Sequence, residues 1–469
     1  MGRGVQCIEL TPPNETIGRA IYRKEHAFTG ENVWSSDTKR TTLDLTMGRS
    51  TMTTTPIDAL RPGSSLYEPR SAESTVSRTQ VFIVAVCALG FIFDLSEISF
   101  GSALSGVFSI APYSIPSGQL SWLLASIYIG AIVGPPFMGT FADRRGPRTA
   151  LSVALLFLAA ISFASAFSPG IAVLSILRGL SGIALGAYPP LMITYLTDVL
   201  PARFRGRLIM VTVAIAYFGP PATIFLMRGL TPLAPLGLEG WRWVIGMDGI
   251  GALTAGLLFL WLPESSKWRQ AVEHAAAISV MSIREAALVT TLSFLAPWAT
   301  VSFPLLTAVF LVVRGFNFSD TLFYVGVSTF GPIVGSGLAA AIADRFERRS
   351  SVVACSLGMA LAAAGFYVSD RAGWLMLTSF AFNLCIALYM PALNTYVAEL
   401  SPTRIRGRVT SWAWSANRVA AAAVPLVMLP WLHKNGEALV FTVIVATLLA
   451  TVLLIGAYGP PGKAGQPVV

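Results

Sequence analysis

Two charged motifs occur twice in this chain of 469 residues, and both copies are separated by the same distance. The motif that begins at Asp143 returns at Asp344, and 344 − 143 = 201. The motif that contains Asp198 returns with Glu399, and 399 − 198 is again 201. Because these motifs stand in an otherwise apolar chain, the sequence predicts a membrane protein built from two homologous halves.

The composition agrees with a membrane location, since 54% of the residues are hydrophobic and only 12% are charged. A helix needs about 20 apolar residues to cross roughly 30 Å of hydrocarbon. Suitable windows predict an all-α fold of twelve transmembrane helices, six in each half, near 80–108, 120–142, 149–167, 171–197, 208–229, 242–262, 288–313, 320–343, 351–369, 373–398, 409–432 and 437–458.

The segments outside these windows are polar. The first 78 residues show no sustained apolar period, which predicts a disordered tail, and translation from Met1, Met47 or Met52 stays open. The predicted order is a cytoplasmic tail, a six-helix half, a cytoplasmic linker, a second six-helix half and a short cytoplasmic tail, at 1–78, 79–262, 263–287, 288–460 and 461–469.

The net charge of +9 comes mainly from arginines in one set of connections between the helices. By the positive-inside rule this asymmetry places both termini in the cytoplasm of a multi-pass plasma membrane protein. The basic residues are scattered over short loops, so nucleic-acid binding is not expected. Nothing in the chain resembles a catalytic triad, a nucleotide loop or a metal-ligand cluster, so we expect no enzyme activity, no cofactor and no metal. The expected partners are a small-molecule substrate, protons and the lipid bilayer, with the protein itself a monomer.

The segment from Gly139 to Arg148 carries glycine, aspartate and arginine at the spacing GxxxDRxGxR. It resembles the element between helices two and three of the major facilitator superfamily. Trp241-Arg242-Trp243 and the segment 263–268 resemble elements of the sugar porters and of related metabolite:proton symporters. The resemblance covers about 80–460 and implies a twelve-helix transporter whose two halves rock about a central site.

The duplicated motifs and the segment after helix six bring carboxylates and arginines to one face. Such groups can form ion pairs between the halves when that face is closed. The alternative is that the arginines only anchor topology. The predicted cytoplasmic gate consists of Gly139, Asp143, Arg144, Arg148, Asp198, Arg205, Arg207, Glu264, Asp344, Arg345, Arg348, Glu399, Arg406 and Arg408.

Helix one contains two acids, Asp94 and Glu97, three residues apart and therefore on nearly the same face. Asp94 lies roughly 20 Å into the span. A buried carboxylate is costly in its charged form, which makes protonation near neutral pH easier and suits a proton carrier. We expect Glu97 to carry the proton, assisted by Asp94, and its protonation to weaken its hold on Arg178 so that the substrate can bind near Arg418. Arg178 of helix four is at a depth that allows it to pair with Glu97. The alternative is that the acids are tied to structural partners.

Arg418 of helix eleven lies near the midplane beside Asn417, where an arginine needs a partner or a water-filled cavity. An acidic pair in helix one with an arginine in helix eleven resembles the aromatic acid:proton symporters, which implies that Arg418 anchors an anionic substrate. Its alternative role is structural. Further candidates for the substrate cavity, each more often a packing residue, are Trp298, Tyr188, Tyr217, Tyr389, Asn383 and Asn394.

These observations predict proton-coupled symport of a small organic anion, an aromatic or other carboxylic acid. A sugar or polyol is the first alternative, although helix seven reads Ser293-Phe294-Leu295-Ala296-Pro297 where the sugar porters carry QQxxGxN. A nutrient receptor that uses a transporter fold without carrying its ligand is the second alternative. The sequence Gly219-Pro220-Pro221 also predicts a kink in helix five.

Overall fold

The computed structural model describes residues 77–201, 204–265, 268, 283–342, 347–400 and 406–459, with only the backbone for a few of them. The predicted amino-terminal tail to residue 76, most of the linker and the carboxy-terminal tail lie outside these ranges.

Within the described ranges, twelve helices are long and apolar enough to cross a membrane. The first six are α1 Arg78–Ser109, α2 Ser117–Arg145, α3 Pro147–Ala166, α4 Ile171–Val199, α5 Arg205–Ala216 continued by Gly219–Leu230, and α6 Gly240–Phe259. The second six are α7 Ile283–Leu295 continued by Pro297–Thr300 and Ser302–Val313, α8 Phe318–Ser328 continued by Gly331–Ile342, α9 Arg348–Val368, α10 Ala372–Leu400, α11 Arg406–Asn435 and α12 Glu437–Tyr458. The predicted all-α fold is confirmed, and the largest shift in a helix end, at the start of α7, is 288 − 283 = 5 residues.

Prolines lie at the breaks in three of the described helices, α5, α7 and α8. α5 breaks after Ala216 and resumes at Gly219, followed by Pro220 and Pro221, so the predicted kink is confirmed. A proline has no backbone N–H, and it leaves the carbonyl four residues earlier without its helical donor. In α7 the break falls at Pro297, which frees the carbonyl of Ser293 in the same way.

Glycines hold α2 and α4 in direct backbone contact. A Cβ atom at Gly130 would overlap the carbonyl oxygen of Gly179, and one at Gly134 would overlap that of Ile183. Small residues four apart allow two membrane helices to approach this closely.

The second half repeats this packing between α8 and α10. Gly331 and Gly335 face the carbonyl oxygens of Phe380 and Leu384 with no room for a side chain. The repeat keeps its register, since 331 − 130 and 335 − 134 both equal 201. The internal repeat therefore extends from the charged loops into the membrane core.

Hydrogen bonds join the two halves at one end of the bundle. Ser102 donates to the carbonyl of Pro304 at 2.9 Å, and Ser105 donates to that of Leu305 at 3.3 Å. Arg228 donates to the carbonyl and hydroxyl oxygens of Ser319 at 2.9 and 3.1 Å. We call this the opposite end, and the end at which Arg144, Arg145 and Arg148 lie is called the basic end.

Candidate functional site

Two glycines seat the middle of α1 against its neighbours. A Cβ at Gly219 of α5 would overlap the carbonyl oxygen of Ile92, and a Cβ at Gly251 of α6 would overlap the ring of Phe93. The segment of α1 that follows, which carries Asp94 and Glu97, is therefore enclosed on two sides by close helix packing.

Glu97 and Arg178 form an ion pair in the interior of the first half. Arg178 Nη1 lies 2.9 Å from Glu97 Oε1, and the two side chains are only 2% and 4% exposed. Arg178 Nη2 also donates to the backbone carbonyl of Glu97 at 3.0 Å. Ser181 donates its hydroxyl to the same Oε1 at 2.9 Å. The pairing predicted from the depths of these residues is confirmed, and three hydrogen bonds hold it.

A third buried acid, Asp248 of α6, belongs to the same neighbourhood. It is 6% exposed, and its charge acts on Glu97, Arg178 and Asp94. Asp248 was not among the residues predicted from the sequence, although an aspartate in the middle of an apolar window is a usable signal.

Asp94 differs from Glu97 in having no hydrogen-bond partner in the described part of the chain. It is 1% exposed, and neither carboxylate oxygen has a hydrogen-bond partner among the described residues. The charge that acts on it most strongly is that of Arg418 on α11, in the other half of the protein. We refer to Asp94, Glu97, Arg178, Asp248 and Arg418 as the charged cluster.

Arg418 lies against the ring of Trp414, with the guanidinium carbon 4.4 Å from the ring centre. It is half-buried, and no carboxylate among the described residues forms an ion pair with it. Its Nε and the indole Nε1 of Trp414 are buried without a partner in the described part of the chain. Stacking on an aromatic ring fixes the plane of a guanidinium, which prepares it for two-pronged binding of a carboxylate.

Asn417, the predicted neighbour of Arg418 in the substrate site, has a structural partner. Its side-chain amide donates to the carbonyl of Ser293 at 3.2 Å, the oxygen that Pro297 leaves without a helical donor. In lipid such a carbonyl must be satisfied by a neighbouring group. Asn417 therefore stabilises the break in α7.

The other predicted cavity residues divide into two groups. Tyr188 donates to the carbonyl of Cys87 in its own half at 3.1 Å, Asn383 donates to that of Ser379 one turn earlier in its own helix at 2.9 Å, and Tyr389 is fully buried. Tyr217 and Trp298 are half-buried in the breaks of α5 and α7, and Asn394 is exposed. Tyr217 and Arg418 are repeat partners, since 418 − 217 = 201.

At the basic end, a cavity of about 340 Å³ is lined by Gly139, Asp143, Asp198 and Trp268, among others. Asp143 is exposed, and Asp198 accepts a hydrogen bond from Ser265 at 2.7 Å.

Three further gate arginines of the first half have described side chains. Arg144 and Arg207 are exposed, and Arg205 donates to the carbonyl of Thr197 at 3.4 Å. The gate residues Asp344 and Arg345 lie outside the described residues, and for Glu399, Arg406 and Arg408 only the backbone is described. Ion pairing between the halves at this end stays a prediction.

Arg148 and Glu264 bind groups of their own half. Glu264 accepts from the backbone N–H groups of Arg148 and Thr149 at 3.0 and 3.3 Å and so caps the first turn of α3. Arg148 in turn donates to the carbonyls of Phe259 and Leu260 at the end of α6. Opposite charges at the two helix termini favour both contacts, and the two residues join α3 to α6.

Trp241 and Arg242 of the predicted sugar-porter element lie at the opposite end. Trp241 Nε1 donates to the hydroxyl of Tyr113, which donates to Glu239 at 2.8 Å. Burial, followed by the hydrogen bond to Glu239, raises the pKa of Tyr113, which lies in the loop between α1 and α2. Arg242 pairs with Glu239 and caps α3 through the carbonyl of Ala166. The Trp241–Arg242 element therefore connects the start of α6 to the loop between α1 and α2 and to the end of α3.

Twelve membrane-spanning helices in two repeated halves, with a buried charged cluster that both halves contribute to, define a membrane transporter. The chain belongs to the Major Facilitator Superfamily, whose family model matches residues 86–425. It is not an enzyme, and it is a multi-pass membrane protein.

Among its relatives is a D-xylose transporter of Levilactobacillus brevis, 27% identical over 74% of this chain and 85% of that protein. Another is the niacin transporter NiaP of Acinetobacter baylyi, 23% identical over 79% of this chain and 92% of that protein. The inward-open structure of the xylose transporter XylE from E. coli has the same fold, with a TM-score of 0.69 and 20% identity over 82% of this chain and 98% of that chain.

Proposed function

We propose that this protein is a proton-coupled symporter of a small organic anion, with a carboxylic acid as the substrate class. Two observations carry the proposal: both carboxylate oxygens of Asp94 on α1, and the Nε of Arg418 on α11, are buried without a hydrogen-bond partner among the described residues. Asp94 can take a proton, and Arg418 can bind an anion.

The contacts of Glu97 and Asp94 suggest different roles for the two acids. Glu97 accepts a hydrogen bond from Arg178, whereas Asp94 lies in the electrostatic field of Arg418, the residue proposed to bind the substrate. An ionised Asp94 competes with an anionic substrate for Arg418. Protonation of Asp94 removes that competition, so the anion binds together with a proton.

The names of the relatives support transport of small metabolites, but the metabolites they name differ in charge. Niacin is an aromatic carboxylic acid, while D-xylose is a neutral sugar. The family likeness to sugar transporters favours a neutral sugar as the second candidate substrate. The basic end faces the cytoplasm of the plasma membrane in this proposal, because its arginines follow the positive-inside rule.

Uptake into liposomes that contain the purified protein tests the proposal. Nicotinate, benzoate and xylose serve as probes, with an inwardly directed proton gradient. We expect uptake of a carboxylate, and we expect Asp94→Asn to remove its dependence on the gradient. Arg418→Gln should weaken anion binding roughly 30-fold to several-thousand-fold, the equivalent of a lost buried charge pair of about 2–5 kcal/mol.

The exposed residues Asp370 and Arg371 provide matched controls, as Asp370→Asn and Arg371→Gln. Both controls should transport like the unaltered protein. Xylose uptake that Arg418→Gln leaves unchanged, together with no uptake of either carboxylate, would replace the anion by the neutral sugar. Carboxylate uptake by Asp94→Asn at the normal rate and with the normal gradient dependence would exclude Asp94 as the proton carrier.

A further inference from the structure

Asp248 faces Glu97 across the contact between α6 and α1. The two helices run in opposite directions, and Gly251 of α6 lies against Phe93 of α1. One turn from Gly251 toward the opposite end is Asp248, and one turn from Phe93 in the same direction is Glu97. Helix geometry alone therefore brings a third carboxyl to the Glu97–Arg178 pair.

The surroundings of Asp248 contain few other charges. Glu97 and Asp94 act on it from α1, and Arg178 acts on it from α4. α3 also packs on α6, with Ser162 beside Gly249, but α3 has no charged residue after Arg148 at its first turn. No hydrogen-bond partner of Asp248 Oδ2 is found among the described residues.

The charged cluster contains three carboxyls and two guanidiniums. With all five groups ionised, its net charge is 2 − 3 = −1, in a region where the three carboxyls and Arg178 are 6% exposed or less. Burying an uncompensated charge is strongly unfavourable, and a single proton removes it. Arg178 and Ser181 already hold the charged form of Glu97, and Asp94 lies in the field of Arg418. Of the three carboxyls, Asp248 is therefore the one whose ionised form the two arginines stabilise least.

We propose that Asp248 keeps a proton throughout the transport cycle, so that the empty charged cluster is neutral and a monovalent anion is carried electroneutrally. This inference rests on the proposed function. The substrate adds one negative charge near Arg418, and one proton from solution joins the carboxylate of Asp94. The complex that crosses the membrane therefore carries the same charge as the empty protein.

The first test measures the protonation of Asp248 without a substrate. A neutral carboxylic acid has a carbonyl stretch in the infrared that a carboxylate lacks. The ligand-free protein at neutral pH should show this band, and Asp248→Asn should lose it while Asp94→Asn keeps it. A protein without the band, or an Asp248→Asn variant that retains it, would overturn the proposal.

The second test measures electroneutrality in liposomes, with nicotinate as the probe and a potassium diffusion potential set by valinomycin. If one net charge crossed, a potential of about 100 mV would change the accumulation ratio roughly 45-fold. We expect a change below about twofold, both in the unaltered protein and in Asp248→Asn, whose amide resembles the protonated acid.

The outcomes separate the two proposals. Two results would refute the proposal that Asp248 keeps its proton while leaving anion symport intact. One is uptake that depends strongly on the membrane potential, and the other is loss of gradient-driven uptake in an Asp248→Asn protein with a normal melting temperature. Absence of nicotinate and benzoate uptake would remove the proposed substrate class, and the infrared band would still decide where the proton resides.

Discussion

Replacing Arg178 by methionine should destabilise the protein more than replacing both Arg178 and Glu97. The two charges are 2.9 Å apart and almost fully buried. At an effective dielectric constant of about 20, their gross attraction is about 6 kcal/mol. Desolvation of both groups opposes that attraction, but removing one partner leaves a buried charge, which costs about 3–5 kcal/mol.

The double variant Arg178→Met with Glu97→Gln removes both the attraction between the two charges and the cost of desolvating them. Apolar or neutral groups of similar volume often replace a buried ion pair with little loss of stability. We therefore expect a coupling energy of about 1–3 kcal/mol between the two sites. The three variants and the unaltered protein form a double-mutant cycle.

The assay measures the unfolding of each purified variant in the same detergent. Loss of the helical circular dichroism signal monitors unfolding and gives the thermal midpoint. A control cycle uses Arg314→Met with Asp370→Asn: Asp370 is 89% exposed and 3.5 Å from Arg314, while Arg314 is 10% exposed and keeps its closer partner Glu437 at 2.6 Å outside the cycle. Exposed pairs contribute only about 0–1 kcal/mol. Additive effects in the Arg178–Glu97 cycle would show that this ion pair does not stabilise the first half.

Three further outcomes follow from contacts in the helix breaks, caps and ends. Asn417→Leu should lower the free energy of unfolding by about 1–3 kcal/mol, because the carbonyl of Ser293 loses its donor. The loss should be smaller in a Pro297→Ala background, where a backbone N–H can bond that carbonyl, and equal losses in both backgrounds would contradict this role of Asn417. Glu264→Ala should lower the free energy of unfolding by about 1–2 kcal/mol through loss of the α3 cap, and Glu264→Gln should lower it less; identical thermal midpoints of both variants and the unaltered protein would refute the capping contribution. At the opposite end, Phe225 of α5 packs on Phe323 and Phe330 of α8, and Arg228 binds Ser319. Phe225→Ala with Arg228→Gln should open this end and speed the reaction of a cysteine placed there with a hydrophilic thiol reagent; unchanged labelling would argue that these contacts do not close the opposite end.

The sequence supported the parts of this structure that depend on period, depth and repetition. Glu97 and Arg178 each lie in an apolar helix at a similar depth, so a bilayer leaves them few partners except one another. The kink in α5 followed from Pro220 and Pro221, because the missing N–H groups act within the same helix.

Pairings between helices were harder to predict, because they depend on which faces meet. Asn417 stands beside Arg418 in the chain, but its side chain serves the carbonyl of Ser293 on another helix. Asp248 has no acidic or basic neighbour in α6, and only the contact of Gly251 with Phe93 reveals that it faces α1. These contacts are set by tertiary packing, which local patterns do not encode.

The glycine contacts between α2 and α4, and between α8 and α10, also determine where the protein can bend. Backbone that touches backbone at Gly130 or Gly331 leaves no side chains to re-arrange, so these helix pairs resist both separation and sliding. The turns around Gly219 and Pro297 lose some of their helical hydrogen bonds, because prolines there have no N–H group to donate, and they deform more easily. We expect movement of one half against the other to bend α5 and α7 at their breaks, which contain Tyr217 and Trp298, so that a ligand in contact with these turns would respond to the motion.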